Sequence, residues 1–253
     1  MDLMSISQGW MEMIIQEMEN EYYMIKQEDH AVLSGVFASM LTTDSEILSA
    51  CETHDRAWRE LDEVPVWNDL AEAPYSFLNY PVAVKLIHYR HGIDEIEKQS
   101  TYAALLHSLH YTKLTGQERE TEKWFHDEEL RRQERLQQLQ PQKEPEKDTA
   151  LLRLVDSLSL FFCMHLPGEK SYENAAQGLE PLASVRPEFR EELTGTWTAE
   201  DTFQFHPALF KQTFDIHVPV YIVSKEKARN HGLAGAWKQS QPENRVIRIR
   251  GGK

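Results

Sequence analysis

The chain has 253 residues, and its hydrophobic fraction of 41% argues against wholesale disorder. The 27 lysine and arginine residues are outnumbered by 41 aspartate and glutamate residues, and the net charge of −14 disfavours binding to nucleic acid or to an anionic membrane surface. The two cysteines, Cys51 and Cys163, form no CxxC pair and fit a reducing cytoplasm, which is the predicted location. We expect neither a secretory signal nor a membrane span, since the N-terminus lacks a basic segment and no apolar run approaches ~20 residues.

In the first half of the chain, the pattern predicts a β-hairpin followed by helices. Two apolar runs that flank a polar break predict the hairpin over residues 11–26. After the hairpin, apolar residues recur at the spacing of an α-helix. An irregular segment with acids and aromatics, 62–79, interrupts this pattern. The predicted helices cover residues 28–42, 45–61, 81–98 and 100–114.

In the second half, a helical pattern gives way to a β pattern. Residues 117–140 predict a long, mostly solvated helix, whose thin apolar stripe could form a homodimer contact. A polar linker, 141–148, leads to a helix over 149–165. Short β-favouring runs then predict a small antiparallel sheet, which could also recruit the N-terminal hairpin. The predicted strands cover residues 195–198, 202–206, 214–223 and 246–250.

These elements predict a mainly α protein, with residues 1–253 forming one domain. The hairpin over 11–26 leads into a core of about six helices over 28–165. The segment 193–250 is expected to be a small, β-rich appendage built onto that core.

The adjacent pair His54-Asp55 is the centre of a predicted metal site. Helical spacing places His54 on an apolar face, and His30, His110 and Asp156 lie on apolar faces of three other predicted helices. A carboxylate on such a face is costly unless it is paired or bound to a metal. We therefore predict that all five residues are metal ligands, although each one alone could be a buried, hydrogen-bonded structural residue.

Imidazole and carboxylate ligands suit a divalent ion of Fe, Mn, Zn, Co or Ni, and the sequence does not choose among them. Such an ion lowers the pKa of bound water and makes hydroxide available near neutral pH. The residues predicted to take part in catalysis are Asp55, His107 and Lys113. His107 is expected to support the ligands or to contact substrate, and Lys113 either meets an anionic group or is a solvated surface lysine.

The sequence resembles two protein families. The series His30, His54-Asp55, His110, Asp156 resembles the ligand order of the HD-domain superfamily, a helical fold of metal-dependent phosphohydrolases. A closer resemblance, over nearly the whole chain, is to an uncharacterised bacterial family known only as a domain of unknown function. It rests on four motifs: Gln27-Glu-Asp-His30, His54-Asp-Arg-Ala-Trp58, Pro74-Tyr-Ser-Phe77 and Ser108-Leu-His110.

The resemblance to the HD-domain superfamily implies an HD-domain-like helical core and a hydrolase that acts on a small phosphorylated molecule by metal-activated water. One alternative is a catalytically silent protein that binds a metal or a ligand. A second alternative is a di-iron oxygenase on the same scaffold. The expected partners are a small-molecule substrate and a second copy of the chain, with neither nucleic acid nor membrane.

Overall fold

Helices pack against one face of a mixed β-sheet. A computed structural model describes residues 13–76, 79–115, 119–139, 143–173, 185 and 192–252. Two short 3-10 segments, Arg56–Trp58 and Leu61–Glu63, follow the second helix. The α-helices are Gln27–Ser39 (α1), Ser45–Thr53 (α2), Val82–Glu97 (α3), Thr101–Leu114 (α4), Glu122–Gln138 (α5), Pro145–Met164 (α6), Lys225–His231 (α7) and Leu233–Gln239 (α8).

The strands form one large sheet and one small one. In chain order they are Ile14–Glu17 (β1), Glu21–Ile25 (β2), Trp67–Asn68 (β3), Ala73–Pro74 (β4), Tyr172–Glu173 (β5), Thr194–Ala199 (β6), Thr202–His206 (β7), Phe214–Ser224 (β8) and Pro242–Arg250 (β9). The large sheet has seven strands in the order β1-β2-β8-β9-β7-β6-β5. Its pairs are antiparallel except β7 with β9, which is parallel. β3 and β4 form a separate antiparallel pair inside the segment predicted to be irregular.

The predicted fold class, a mainly α HD-domain-like core of about six helices with a small antiparallel β appendage, is wrong. The described residues form a seven-stranded mixed sheet, so the core is not all-helical. β9 begins at Pro242, four residues before the predicted strand, because the first half of this strand is exposed and polar and carries no apolar signal. The N-terminal hairpin does join the C-terminal strands, since Tyr22 of β2 lies opposite Val223 of β8.

The core between the helices and the sheet is rich in aromatic side chains. Phe37 of α1 stacks on Phe162 of α6, with ring centres 5.8 Å apart. Phe162 in turn meets Phe203 of β7 edge-on at 5.0 Å. On the sheet, alternate residues of β8 and β9 are buried, as expected for strands with one covered face. The sheet therefore lies directly beneath the helices that carry the candidate site.

The segment around His54-Asp55 differs from its predicted structure. The helix predicted over 45–61 ends at Thr53, and a turn and two 3-10 segments follow it. Asp62, in the second of these segments, accepts a hydrogen bond of 2.7 Å from the backbone nitrogen of Gln27 and so caps α1. The segment after α2 is thereby tied to the start of the helix that carries His30.

Other differences concern the ends of elements and the part of the chain that is described. α6 begins at Pro145, four residues before its predicted start, because proline is well tolerated in a first helical turn. Phe77 of the quoted motif, and residues 11, 12, 117, 118 and 140 of the predicted hairpin and helix, lie outside the described residues. No helix among the described residues combines the length and apolar composition that crossing a lipid bilayer requires.

Candidate metal centre

Four elements bring the five predicted ligands to one buried point. α1 contributes His30, the turn after α2 contributes His54 and Asp55, α4 contributes His110, and α6 contributes Asp156. The two carboxylate residues are only 2% and 6% exposed, so water cannot solvate their charges well. The ligand order predicted along the sequence thus corresponds to a cluster in space.

The distances within the cluster all join an imidazole Nε2 atom to a carboxylate oxygen. His30 lies 2.9 Å from Asp55 and 3.4 Å from Asp156. His54 lies 3.6 Å from Asp55 and 3.3 Å from Asp156. His110 lies 3.8 Å from Asp156. All three histidines therefore direct the same ring nitrogen toward the carboxylates.

Hydrogen bonds on the far sides of two rings fix which nitrogen faces the centre with a lone pair. The Nδ1 atom of His54 lies 2.8 Å from the carbonyl oxygen of Cys51, and a carbonyl can only accept, so Nδ1 carries the proton. Neutral His54 consequently presents the lone pair of Nε2 to Asp55 and Asp156. This is the arrangement that metal-binding histidines use, with the second nitrogen held by an outer partner.

His30 is oriented in the same way by two serines. Ser159 Oγ donates to the carbonyl oxygen of Asp156 at 2.8 Å, which leaves its lone pairs to accept from His30 Nδ1 at 2.7 Å. Ser34 Oγ lies 2.7 Å from Ser159 Oγ and completes this network. Neutral His30 therefore also turns a lone pair toward the carboxylates. Lone pairs that face each other at such distances repel, so the centre requires a cation, either protons or a metal ion.

The charges of the cluster shift the pKa values of its members. Burial alone would lower the pKa of His54, but the charges of Asp55 and Asp156 outweigh it and raise this pKa to about 9. Burial alone would raise the pKa of Asp156, but the close approach of His54 at 3.3 Å and the nearby histidine charges hold it well below its usual value. Burial lowers the pKa of His110 to about 4. The centre therefore favours ionised Asp156 next to positive charge.

The geometry fits a bound metal ion. With metal–ligand bonds of ~2.0–2.2 Å, neighbouring ligands in tetrahedral or octahedral geometry lie about 2.8–3.6 Å apart. Four of the five distances given above fall in this range. His54 Nε2 and Asp156 Oδ1 are also buried without a hydrogen-bond partner among the described residues, which is unusual for polar atoms. The buried cluster of His30, His54 and Asp156 could thus hold a metal ion.

Two of the predicted catalytic residues lie outside the cluster. His107 is buried, but its Nε2 lies 2.9 Å from the carbonyl oxygen of Ala50, to which it donates. Lys113 is exposed one turn past His110 and lines a cleft beside the centre. Asp55, the third predicted catalytic residue, lies within the cluster. The catalytic roles of all three stay predictions.

The sequence interpretation missed the residues that orient the predicted ligands. Ser34 follows His30 by four residues, and Ser159 follows Asp156 by three, so both lie on the same helix sides as these ligands. This spacing was a usable signal. The hydroxyl of Tyr111, which donates to the carbonyl oxygen of His54, had no such signal because the two residues belong to different elements.

The comparisons with known proteins assign a family. A family model described as Protein of unknown function (DUF3891) matches residues 13–225. The chain belongs to this family. The resemblance to an uncharacterised family is thereby confirmed, whereas the DUF3891 match does not confirm the resemblance to the HD-domain superfamily. Comparison with curated proteins and with solved structures finds no match to this chain.

Proposed function

We propose that the protein is a metal-dependent hydrolase that cleaves a small phosphorylated molecule. The observation that carries this proposal is the convergence of three imidazole Nε2 atoms on two buried carboxylates. In this proposal a divalent ion of Fe, Mn, Zn, Co or Ni is held by His30, His54, Asp55, His110 and Asp156. Mixed nitrogen and oxygen donors suit these metals better than they suit Ca²⁺ or Mg²⁺.

The reaction requires little covalent chemistry from the protein. A bound divalent ion supplies a water of lowered pKa and neutralises charge on the phosphoryl oxygens. One bond forms from water oxygen to phosphorus, the ester P–O bond breaks, and the leaving oxygen takes up a proton. The chain's own side chains hold the ion and exclude bulk water, which strengthens every charge interaction inside the site.

The overall charge supports a small substrate rather than a polymer. At −14 the protein repels the phosphate backbone of nucleic acids and anionic lipid surfaces. A small phosphorylated molecule is repelled as well, unless local positive charge reverses the field at the site. The metal ion would supply such charge.

A carboxylate variant with a matched control tests the proposal. Asp156→Asn keeps the shape of the side chain but removes its charge, so we expect metal content to fall at least tenfold, as judged by elemental analysis. Metal should raise the melting temperature of the wild type but not of this variant, since only a ligand bound by the native state stabilises it. Asp69→Asn, at an exposed position between β3 and β4, makes the same chemical change and should leave both readouts at the wild-type level.

Activity measurements then separate the function classes. We expect the wild type with added Mn²⁺ or Co²⁺ to hydrolyse a generic phosphoester such as p-nitrophenyl phosphate, and Asp156→Asn to be inactive. A protein that holds metal but turns over no phosphoester would favour a silent binding protein. A visible oxo-bridged absorption of the iron-loaded protein would instead favour an oxygenase. Equal metal content in Asp156→Asn and wild type would overturn the metal site itself.

A further inference from the structure

A cleft of about 310 Å³ lies between α4, α5 and α6, beside the metal centre. The cleft is close to His110 on α4 and to Asp156 on α6. Lys113 follows His110 by three residues and Arg153 precedes Asp156 by three, which is about 4.5 Å along each helix axis. A molecule of modest size in the cleft would therefore lie about one helical turn from the cluster.

The cleft is positively charged in an acidic protein. Lys113, Arg132 and Arg153 line it, and Glu146 is the acid among its lining residues. Arg132 is held in place, because it pairs with Glu129 at 2.5 Å and donates to Thr112 Oγ1 at 3.2 Å. Local positive charge of this kind attracts small anions against an unfavourable net charge.

One polar side chain in the cleft has no hydrogen-bond partner in the described part of the chain. Thr149 on α6 is 7% exposed, and its hydroxyl oxygen makes no hydrogen bond within the described residues. Burying a hydroxyl without a partner destabilises the folded protein, so most such groups in native proteins find one. Because Thr149 lines the cleft, an acceptor atom of a bound molecule is one partner that its position allows.

We infer that this cleft binds an anionic phosphate group of the substrate, a step that rests on the proposed hydrolase function. Guanidinium, ammonium and hydroxyl donors together match the many acceptor oxygens of a phosphate. The volume is at the small end of the range for ligand sites, which suits a compact phosphorylated molecule better than a large cofactor. The substrate would then carry two anionic groups, one in the cleft and one at the metal.

Binding of pyrophosphate to the full chain, stripped of metal with a chelator that is then removed, tests the inference by calorimetry. Because Lys113 would supply one charged donor, we expect Lys113→Gln to weaken binding about 10–100-fold, which corresponds to about 1.4–2.7 kcal/mol. Thr149→Val preserves shape and removes only the hydroxyl, and a several-fold loss is expected. Lys123→Gln removes the same charge from an exposed position on α5 and should bind like the wild type.

Some outcomes would contradict the anion site in the cleft and leave the proposed hydrolase function unaffected. Another outcome would support the cleft even if the hydrolase function fails. If Lys113→Gln binds pyrophosphate like the wild type, the cleft is not an anion site. If Lys123→Gln loses as much affinity, the binding follows net charge alone. If pyrophosphate binds only to metal-loaded protein, the anion sits on the metal and the cleft has no part. Conversely, intact binding by Asp156→Asn, which should lack metal, would support the cleft whatever the outcome of the activity assays. Thermal melts check that each variant folds. If Thr149→Val does not fold, Lys113→Gln still tests the inference, because Lys113 is exposed.

Discussion

Among single residues, His107 illustrates how burial decides the protonation of a histidine. Burial lowers its pKa to about 3, and the hydrogen bond to the carbonyl oxygen of Ala50 offsets this only in part. Nε2 carries the proton, and Nδ1 is buried without a partner among the described residues. A neutral ring held in this way supports the segment that leads to His54 and takes up no second proton at neutral pH.

This environment predicts a pH effect on stability. The folded pKa of His107 is depressed, so its neutral form stabilises the protein above the unfolded pKa of ~6.5, and this stabilisation is lost as the pH falls toward the folded value. One such group contributes up to about 1.4 kcal/mol per pH unit. Between pH 6.5 and 5, urea unfolding of the metal-free wild type should therefore show a steeper loss of stability than His107→Gln, by about 1 kcal/mol per unit. Parallel curves for the two proteins would contradict the assignment.

At this scale the sequence indicates which residues form the buried cluster, but it says little about the residues around them. A polar residue on an apolar helix face is costly to bury unless it has a partner. This cost allowed the sequence to indicate His30, His54, His110 and Asp156. The sequence could not predict that His110 faces Asp156 whereas His107 donates to the carbonyl oxygen of Ala50. α4 is buried on nearly all sides, so helical phase does not reveal which of its histidines faces the carboxylates.

At the scale of secondary-structure elements, α5 is attached to the helical layer by charge more than by apolar packing. Glu128 is fully buried and accepts a hydrogen bond of 2.8 Å from Ser108 of α4. It also pairs with Arg90 of α3 at 2.7 Å and with Arg131 and Arg135 of its own helix at 3.1 and 3.4 Å. The sequence predicted a mostly solvated helix, because a charged residue gives no sign in the sequence that it is buried and paired.

Neutralising this carboxylate should loosen α5. Glu128→Gln leaves buried arginine charge incompletely paired, and breaking a buried pair costs about 3–5 kcal/mol. We expect the free energy of unfolding in urea to fall by about 3 kcal/mol, near the lower end of this range, and hydrogen exchange across α5 to become faster. Glu129→Gln, the neighbouring and largely exposed position, should cost less than about 1 kcal/mol. Equal effects of the two substitutions would show that the Glu128 network does not attach the helix.

A second contact between elements positions the turn that carries His54 and Asp55. Gly92 of α3 lies against the 3-10 segment after Asp55, where an added Cβ would come 2.8 Å from Cα of Ala57. Gly92→Ala should therefore displace that segment, weaken metal binding and lower stability by about 1–3 kcal/mol. Gly235→Ala in α8 is the control, because its Cβ would meet His231 at an ordinary 3.5 Å and should raise stability by about 0.5–1 kcal/mol. Wild-type metal affinity in Gly92→Ala would show that the close approach does not hold the turn.

Predictability from the sequence differs between helices and strands for a physical reason. α3 and α4 were predicted to within one residue at each end, because their apolar spacing is a local signal. The sheet depends on pairing between distant segments: β7 lies beside β9 in parallel, and β2 lies beside β8. Such pairings leave no periodic trace in either partner alone, so the sequence predicts a small β appendage where the structure has a seven-stranded sheet.

For the whole molecule, the sheet ties both ends of the described chain to the helix that carries Asp156. Arg245 of β9 donates to the carbonyl oxygens of Phe162 and His165, at the C-terminal end of α6, at 3.4 and 3.2 Å. The same side chain reaches Gln16 of β1 at 3.4 Å. Ile249 of β9 belongs to the same buried core as Phe162. We therefore expect the helices and the sheet to unfold as one unit, although they were predicted as a core and an appendage.

A substitution in the sheet tests this coupling at the metal site. Ile249 is fully buried, so Ile249→Ala should cost about 2–5 kcal/mol. If folding is cooperative, hydrogen exchange of the most protected α6 amides near Asp156 should accelerate by the same free energy, since these amides then exchange through global unfolding. Val246→Ala, at a position in the same strand that is 46% exposed, should change both readouts by no more than about 0.5 kcal/mol. Unchanged protection in α6 of Ile249→Ala, alongside a destabilised sheet, would mean that the helical layer stands alone. The candidate metal centre would then need only the helices, whereas shared loss of protection would show that the centre depends on β9, which contributes none of the predicted ligands.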